Sequence, residues 1–372
     1  MIKKCSLIIF MILPLVIFSC VDKREQAKTN WQIFKGDNQR TAVSPDPGPG
    51  KIPDMSWLCN LQTRITSSPV IYDSMLYCGT DTGLIAINIY EEQTRWFFKT
   101  AKKVFSTPAV DSNTVYFGSW DKNFYALDRN TKAVNWVFAD SGAFSSSPLV
   151  DDSLVYIGNY SGYVYALGKY DGKVVWSFKT DYWVVSSPAV YREKLFIGSS
   201  DTYLYCLDRY DGKLIWKFKT NKDIVSTPVI NVNNNLVYIG SHDHSMYGVD
   251  IATGDEVWHF ETGDIVYSSP ALFNNKIYFG SLDSVLYCLD AATGDEKWNF
   301  GTYGEIYSSP AIASGIVYFL SYDNDLYAVN ANSGAMEYNI FNHEISNCSP
   351  AVYGDMLIYG DLSGIIYKLA GH

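Results

Sequence analysis

The stretch of the chain best equipped for chemistry is SHDHS, where His242 and His244 flank Asp243. Alternate residues of an extended segment point the same way, so a His-x-His pair puts two imidazoles on one side, as the start of a metal clip. No third ligand is identifiable. Asp243 also falls in step with Asp81, Asp121, Asp201, Asp283 and Asp323, which recur at a near-constant interval. Such a row could draw cations, but a carboxylate that caps its own loop's N–H groups is the simpler account. The histidines then fill variable loop positions, and no metal site is assigned. Seven cysteines are present; with Cys5 and Cys20 set aside as leader residues, five remain, and five cannot all pair within one chain. There is no CxxC and no adjacent cysteine pair. Cys206 and Cys288 sit in LYCLD where a sister copy has YALD, so they read as small buried apolar residues with free thiols.

The first residues follow a different grammar. Lys3 and Lys4 precede an apolar run from Leu7 to Phe18, which is short for a bilayer span and of the right length for a secretory signal. IFSC, ending at Cys20, is similar to a bacterial lipobox, with residues 1–19 as the signal and Cys20 as the lipidated first residue of the mature chain. Removing residues 1–19 takes two lysines and no acid, which moves the formal charge from −10 to −12. That balance argues against nucleic acid as a partner and makes a lipid, rather than charge, the route to a membrane.

What must position any site is a repeat. Ser/Thr-Pro recurs at Pro69, Pro108, Pro148, Pro188, Pro228, Pro270, Pro310 and Pro350, and an aromatic landmark recurs at Trp57, Trp96, Trp136, Trp176, Trp216, Trp258, Trp298 and Tyr338. Both series count eight. Each unit carries four short β-branched and aromatic runs separated by turn residues, with no helical period. In the fourth unit these are SSPAVY, KLFIGSS, YLYCLD and KLIWKFKT. The third run is apolar throughout, as a strand covered on both faces requires. The fourth alternates Trp216 and Phe218 with Lys217 and Lys219, as on a protected outer edge. Turns such as DRYDG, DIATG and DAATG pair an Asp that bonds its own backbone with a Gly that accepts positive φ. A lone four-stranded sheet that is apolar on both faces is unstable, and eight of them cover one another only as a closed ring. The eighth unit stops three strands in, and DMSWLCNLQT, residues 54–63, supplies the fourth. The expectation is an all-β, eight-bladed β-propeller of four-stranded antiparallel blades over residues 54–372, closed by an N-terminal strand. Residues 20–53 are expected as a lipidated tether and leader, with Trp31 and Phe34 anchoring the leader. Trp57 is expected to be buried, with a truncation cost of about 3–5 kcal/mol.

The unit ALD…TG…WxF, followed by SSP and YxGSxD, resembles the pyrroloquinoline-quinone-type (PQQ-like) propeller repeat, and WQIFKGDNQRT, residues 31–41, resembles a leader that precedes such propellers. The resemblance implies that the blade tryptophans Trp96, Trp136, Trp176, Trp216, Trp258 and Trp298 dock on the neighbouring blade's turn, with Tyr338 a departure from the pattern. The family holds both quinone-dependent dehydrogenases and non-enzymatic envelope lipoproteins, some of which serve outer-membrane protein assembly. A dehydrogenase needs PQQ, calcium ligands and an Asp base, usually housed in long insertions, whereas no unit here departs from the common length by more than two residues. The expectation is therefore a monomeric scaffold without cofactor, lipid-anchored at the periplasmic side of an outer membrane, that binds envelope proteins or peptides. A PQQ-binding quinoprotein is the alternative. The loops entering each SSP carry Phe105, Phe144, Trp183, Tyr267, Tyr303 and Tyr307, a candidate binding face. These side chains could equally plug the channel mouth.

Overall fold

A computed structural model describes residues 28–371 except 52 and 343; the signal segment, Cys20 and His372 lie outside the described residues. Eight sheets form the blades; in seven the strands run from innermost to outermost in sequence order, and the eighth takes its outermost strand from the N-terminal side of the chain. Blade 4 is representative, with strands Ala189–Tyr191, Lys194–Gly198, Tyr203–Asp208 and Leu214–Lys219. Its second and third strands are almost wholly buried between neighbouring blades. The fourth buries Trp216 and exposes Lys217 and Lys219, as the alternation required. No helix occurs among the described residues. The ring closes where Asp54–Asn60 pairs antiparallel with Ile365–Ala370 and completes blade 8.

Blades are joined by one clasp used six times. The indole N–H of Trp96, Trp136, Trp176, Trp216, Trp258 and Trp298 donates to a main-chain carbonyl in the next blade's outer turn, at 2.8–3.3 Å. Room for each indole comes from a small residue opposite it on the third strand, such as Ala126 facing Trp136 or Cys206 facing Trp216. Five of the receiving turns place a positive-φ glycine against the ring.

Trp57 does not follow this pattern. The residue at the small position in blade 8 is Lys368, which leaves no space for an indole. Here the strand's irregularity lies between Trp57 and Cys59, and Trp57 stands opposite Tyr367. The result is a Trp57 that is 54% exposed, while Leu58 is buried. At this junction Lys368 pairs instead with Glu92 of blade 1 at 2.5 Å. At Tyr338 the landmark is half-buried, with no indole to donate.

The leader is not a free tether over its described part. It circles the channel beneath the blades, and six of them donate the N–H two residues past the proline to its carbonyls: Ile71 to Trp31, Val110 to Gln32, Val190 to Asn38, Ile230 to Gln39, Leu272 to Thr41 and Ile312 to Ala42. Val43–Ser44 then adds to blade 7 as a parallel fifth strand. An inner edge that would otherwise present unpaired N–H groups is thereby satisfied. Trp31 is buried as expected, and Phe34 rises half-buried into the channel.

Candidate functional site: a hydroxyl-floored aromatic funnel

The channel above the leader is a cavity of about 400 Å³ open at one face. Its lower wall is the residue before each blade's proline, a Ser or Thr in all eight blades from Ser68 and Thr107 round to Ser349. These hydroxyls also bind the ring together. The N–H of Thr107 donates to the Ser147 hydroxyl at 3.1 Å and that of Ser147 to Ser187 at 2.9 Å, and the series continues until Ser349 donates to Ser68 at 2.8 Å. Seven of the eight hydroxyls thus accept a bond from the blade behind. A hydroxyl that accepts one such bond still has its own proton to donate.

Below them the leader plugs the channel with two buried cations. The Arg40 guanidinium donates to the carbonyls of Pro188 at 3.0 Å and Pro148 at 3.2 Å, and Lys35 donates to that of Pro270. Burial pulls both groups below their ordinary range, and Asp37 opposes that shift. Main-chain carbonyls therefore consume these charges, and neither cation lines the cavity.

The mouth carries two aromatic arcs. One links Phe105, Trp120, Tyr160, Trp183 and Tyr182, with successive ring centroids 5.0, 5.7, 5.1 and 4.7 Å apart. The other links His242, Tyr267, Tyr307 and Tyr322 at 5.9, 5.4 and 4.5 Å. Trp120 and Tyr160 belong to blades 2 and 3, whereas Tyr267 and Tyr307 enter blades 6 and 7; in a ring of eight these are opposite sectors. Burial, followed by the phenols of Tyr160 on the other arc and Tyr322 on its own, pushes the Tyr267 phenol up.

Of the six aromatics on the expected face, Phe105, Tyr267 and Tyr307 line the funnel, and Trp183 lies at the outer end of one arc. Phe144 is fully buried and is no part of any binding face: it holds the inward position that Val104, Val184 and Ile224 hold in sister blades, packed over Gly118. Tyr303 is 98% exposed and stands apart on the outer rim, its N–H held by Asp323. The sequence reading missed Trp120, Tyr160 and Tyr322, which precede Asp121, Ser161 and Asp323 in the loops between second and third strands. Their signal was the large aromatic in a slot that holds Ser200 or Leu282 elsewhere. The Ser or Thr before each repeat proline is a further signal, because its hydroxyl lines the cavity.

The aspartates are fold residues. Asp201 accepts the N–H of Tyr203 at 3.1 Å, that of Asp181 at 2.9 Å and the Tyr205 phenol at 2.8 Å, and Asp121, Asp283 and Asp323 repeat the pattern. In blade 3, where Ser161 replaces the aspartate, Asp140 reaches across to Ser161, Asn159 and Tyr165. In blade 8 Asp361 takes the task two residues early. His242 stacks on Tyr267, while His244 lies 3.7 Å from Asp264. Among the described residues no three His, Cys, Asp or Glu side chains converge on a metal position. Cys59, Cys78, Cys206, Cys288 and Cys348 are all free thiols.

This architecture is that of a PQQ-like β-propeller, and the chain belongs to that family. The family model described as beta-alanine-activating enzyme, beta-propeller, matches residues 50–275, more than half of the chain, and the one described as outer membrane protein assembly factor BamB matches residues 252–371. No curated protein matches the sequence. Among solved structures, BamB from Moraxella catarrhalis superposes with a TM-score of 0.74 at 16% identity, covering 85% of this chain and 100% of that one. The computationally designed Ika8 protein gives 0.75 at 15% identity, covering 85% and 98%. Quinohemoprotein alcohol dehydrogenase from Comamonas testosteroni gives 0.77 at 12% identity, covering 92% and 81%. A designed ring, a BamB and a dehydrogenase lie equally near, so the likeness carries the fold and leaves function to the site.

The funnel's donor set does not fit PQQ with calcium. A calcium ion takes six to eight oxygen ligands, carboxylates prominent among them, and an acidic quinone needs cations. The cavity wall contains no Asp, Glu, Lys, Arg or His.

Proposed function

We propose that this protein is a non-enzymatic envelope scaffold, lipid-anchored through Cys20, which binds proteins or peptides at the rim of its propeller. The observation that carries this reading is the uncharged funnel wall. It offers no acid, no base and no activated nucleophile, since its Ser and Thr hydroxyls have no general base beside them. The partial match to a family named for outer membrane protein assembly supports placing the chain at the outer membrane, facing the periplasm, with envelope proteins as partners. Exposed rim aromatics, Trp183 and Tyr182 together and Tyr303 apart, are the contacts this reading assigns to a partner.

The test is capture from detergent-solubilised envelope with the lipidated chain as bait, beside a variant carrying Trp183→Ala and Tyr303→Ala. Specific partners that the variant loses support the scaffold; capture unaffected by both changes removes this face from the account. Dye-linked alcohol oxidation by the protein supplied with PQQ and calcium would reverse the non-enzymatic assignment.

A further inference from the structure

We infer that the funnel is a binding site for a neutral carbohydrate, a single sugar ring or the end of a short uncharged glycan. Three independent features of the cavity point to it. The first is size: about 400 Å³, within the roughly 300–1,000 Å³ of small-molecule sites. The second is the pair of aromatic walls on opposite sectors, Trp120 and Tyr160 against Tyr267 and Tyr322, which present ring faces and edges across the opening. A sugar ring has two faces rich in C–H groups, and a slot between aromatics takes both. The third is the floor. Seven of the eight hydroxyls, all but that of Thr107, are held by the N–H groups they accept, so each of these keeps a proton to donate and a lone pair to accept. A sugar's edge is a row of groups with the same double capacity.

The alternatives fail on charge and on desolvation. An anion would meet no cation, because Lys35 and Arg40 lie under the floor with their N–H groups given to main-chain carbonyls. A cation would meet no carboxylate in the wall. A wholly apolar ligand would strip water from the floor hydroxyls and leave their protons unpaired, which opposes binding. An uncharged polyol with apolar faces satisfies all three surfaces.

The experiment is titration of the full-length chain with methyl glycosides of glucose, galactose, mannose and N-acetylglucosamine and with neutral disaccharides, read by calorimetry and tryptophan fluorescence. Glucuronic acid, choline and PQQ with calcium form parallel arms. At least one neutral glycoside is expected to bind, about tenfold or more tighter than glucuronic acid. Tyr160→Ala and Tyr322→Ala should each weaken it by about tenfold or more, and Tyr170→Ala, exposed on an outer turn away from the cavity, should leave it unchanged. Bound glycoside should also shield Trp120 from acrylamide quenching, a readout that needs no variant to fold. Absence of binding by every neutral glycoside at about 10 mM, a preference for the acidic or cationic probes, or affinity indifferent to both tyrosines would overturn the inference. Each result is separable from partner capture, which reads the outer rim.

Discussion

The indole N–H of Trp216 donates to the main-chain carbonyl of Ile251 in the next blade at 3.1 Å, and Gly254 of that same turn lies flat against the ring. A Cβ at Gly254 would fall 2.6 Å from the indole, and its φ of +79° is one that side chains resist. Gly254→Ala should therefore destabilise the protein by about 2–4 kcal/mol, from left-handed strain and overpacking combined. The loss should appear as a lower urea midpoint. Gly50→Ala, where a Cβ meets nothing within 4 Å, controls for the strain alone.

The closing strand makes an opposite pair of predictions. Trp57 is half-exposed on the outer edge while its neighbour Leu58 is buried. Leu58→Ala should cost about 2–5 kcal/mol as a core truncation, and Trp57→Ala less than about 1 kcal/mol as a surface change. Equilibrium denaturation of the two variants decides between this register and one that turns Trp57 inward.

The fold was legible because its information is repeated. The eight prolines and the turn glycines each impose the same local geometry, and the expected closing segment is the one that pairs, Asp54–Asn60 with Ile365–Ala370. Trp57 misled because the landmark alone does not reveal that its cross-strand partner position holds Lys368 instead of a small residue. Phe144 misled by one residue of phase: in a loop, no alternation tells an inward side chain from a mouth-facing one. The funnel was less legible still, because Trp120, Tyr160 and Tyr322 meet the SSP-loop aromatics only through the ring's curvature. Likewise, nothing in WQIFKGDNQRT announces that Lys35 and Arg40 would be buried on carbonyls.

The leader's contribution can be measured through Arg40. Its guanidinium is fully buried and bonded to carbonyls of Pro148 and Pro188, so Arg40→Ala leaves a void and unpaired acceptors from two blades. A loss of about 3–5 kcal/mol is expected, as when one member of a buried polar set is removed. Limited proteolysis should cut first within residues 28–46, because the segment's remaining hold is mostly single backbone bonds spread over six blades. A variant as stable and as protease-resistant as the parent would mean that the leader is not a structural part of the ring.

Alkaline pH should unfold this protein through its tyrosine–aspartate pairs. Burial, and then the hydrogen bond to Asp121, pushes the Tyr125 phenol up to about 12, and the same causes push up Tyr247, Tyr287 and Tyr327 beside Asp243, Asp283 and Asp323. In the unfolded chain these phenols ionise near about 10. A group whose proton is held more tightly in the fold contributes its full stabilisation below the unfolded value and loses it as pH rises through the folded one. The urea midpoint should accordingly stay level to about pH 10 and fall steadily above it. Phenolate absorbance should rise in step with unfolding for these residues. If all the phenolate signal appeared before the midpoint moved, the pairs would not be coupled to folding, and the loops between second and third strands would need another source of order.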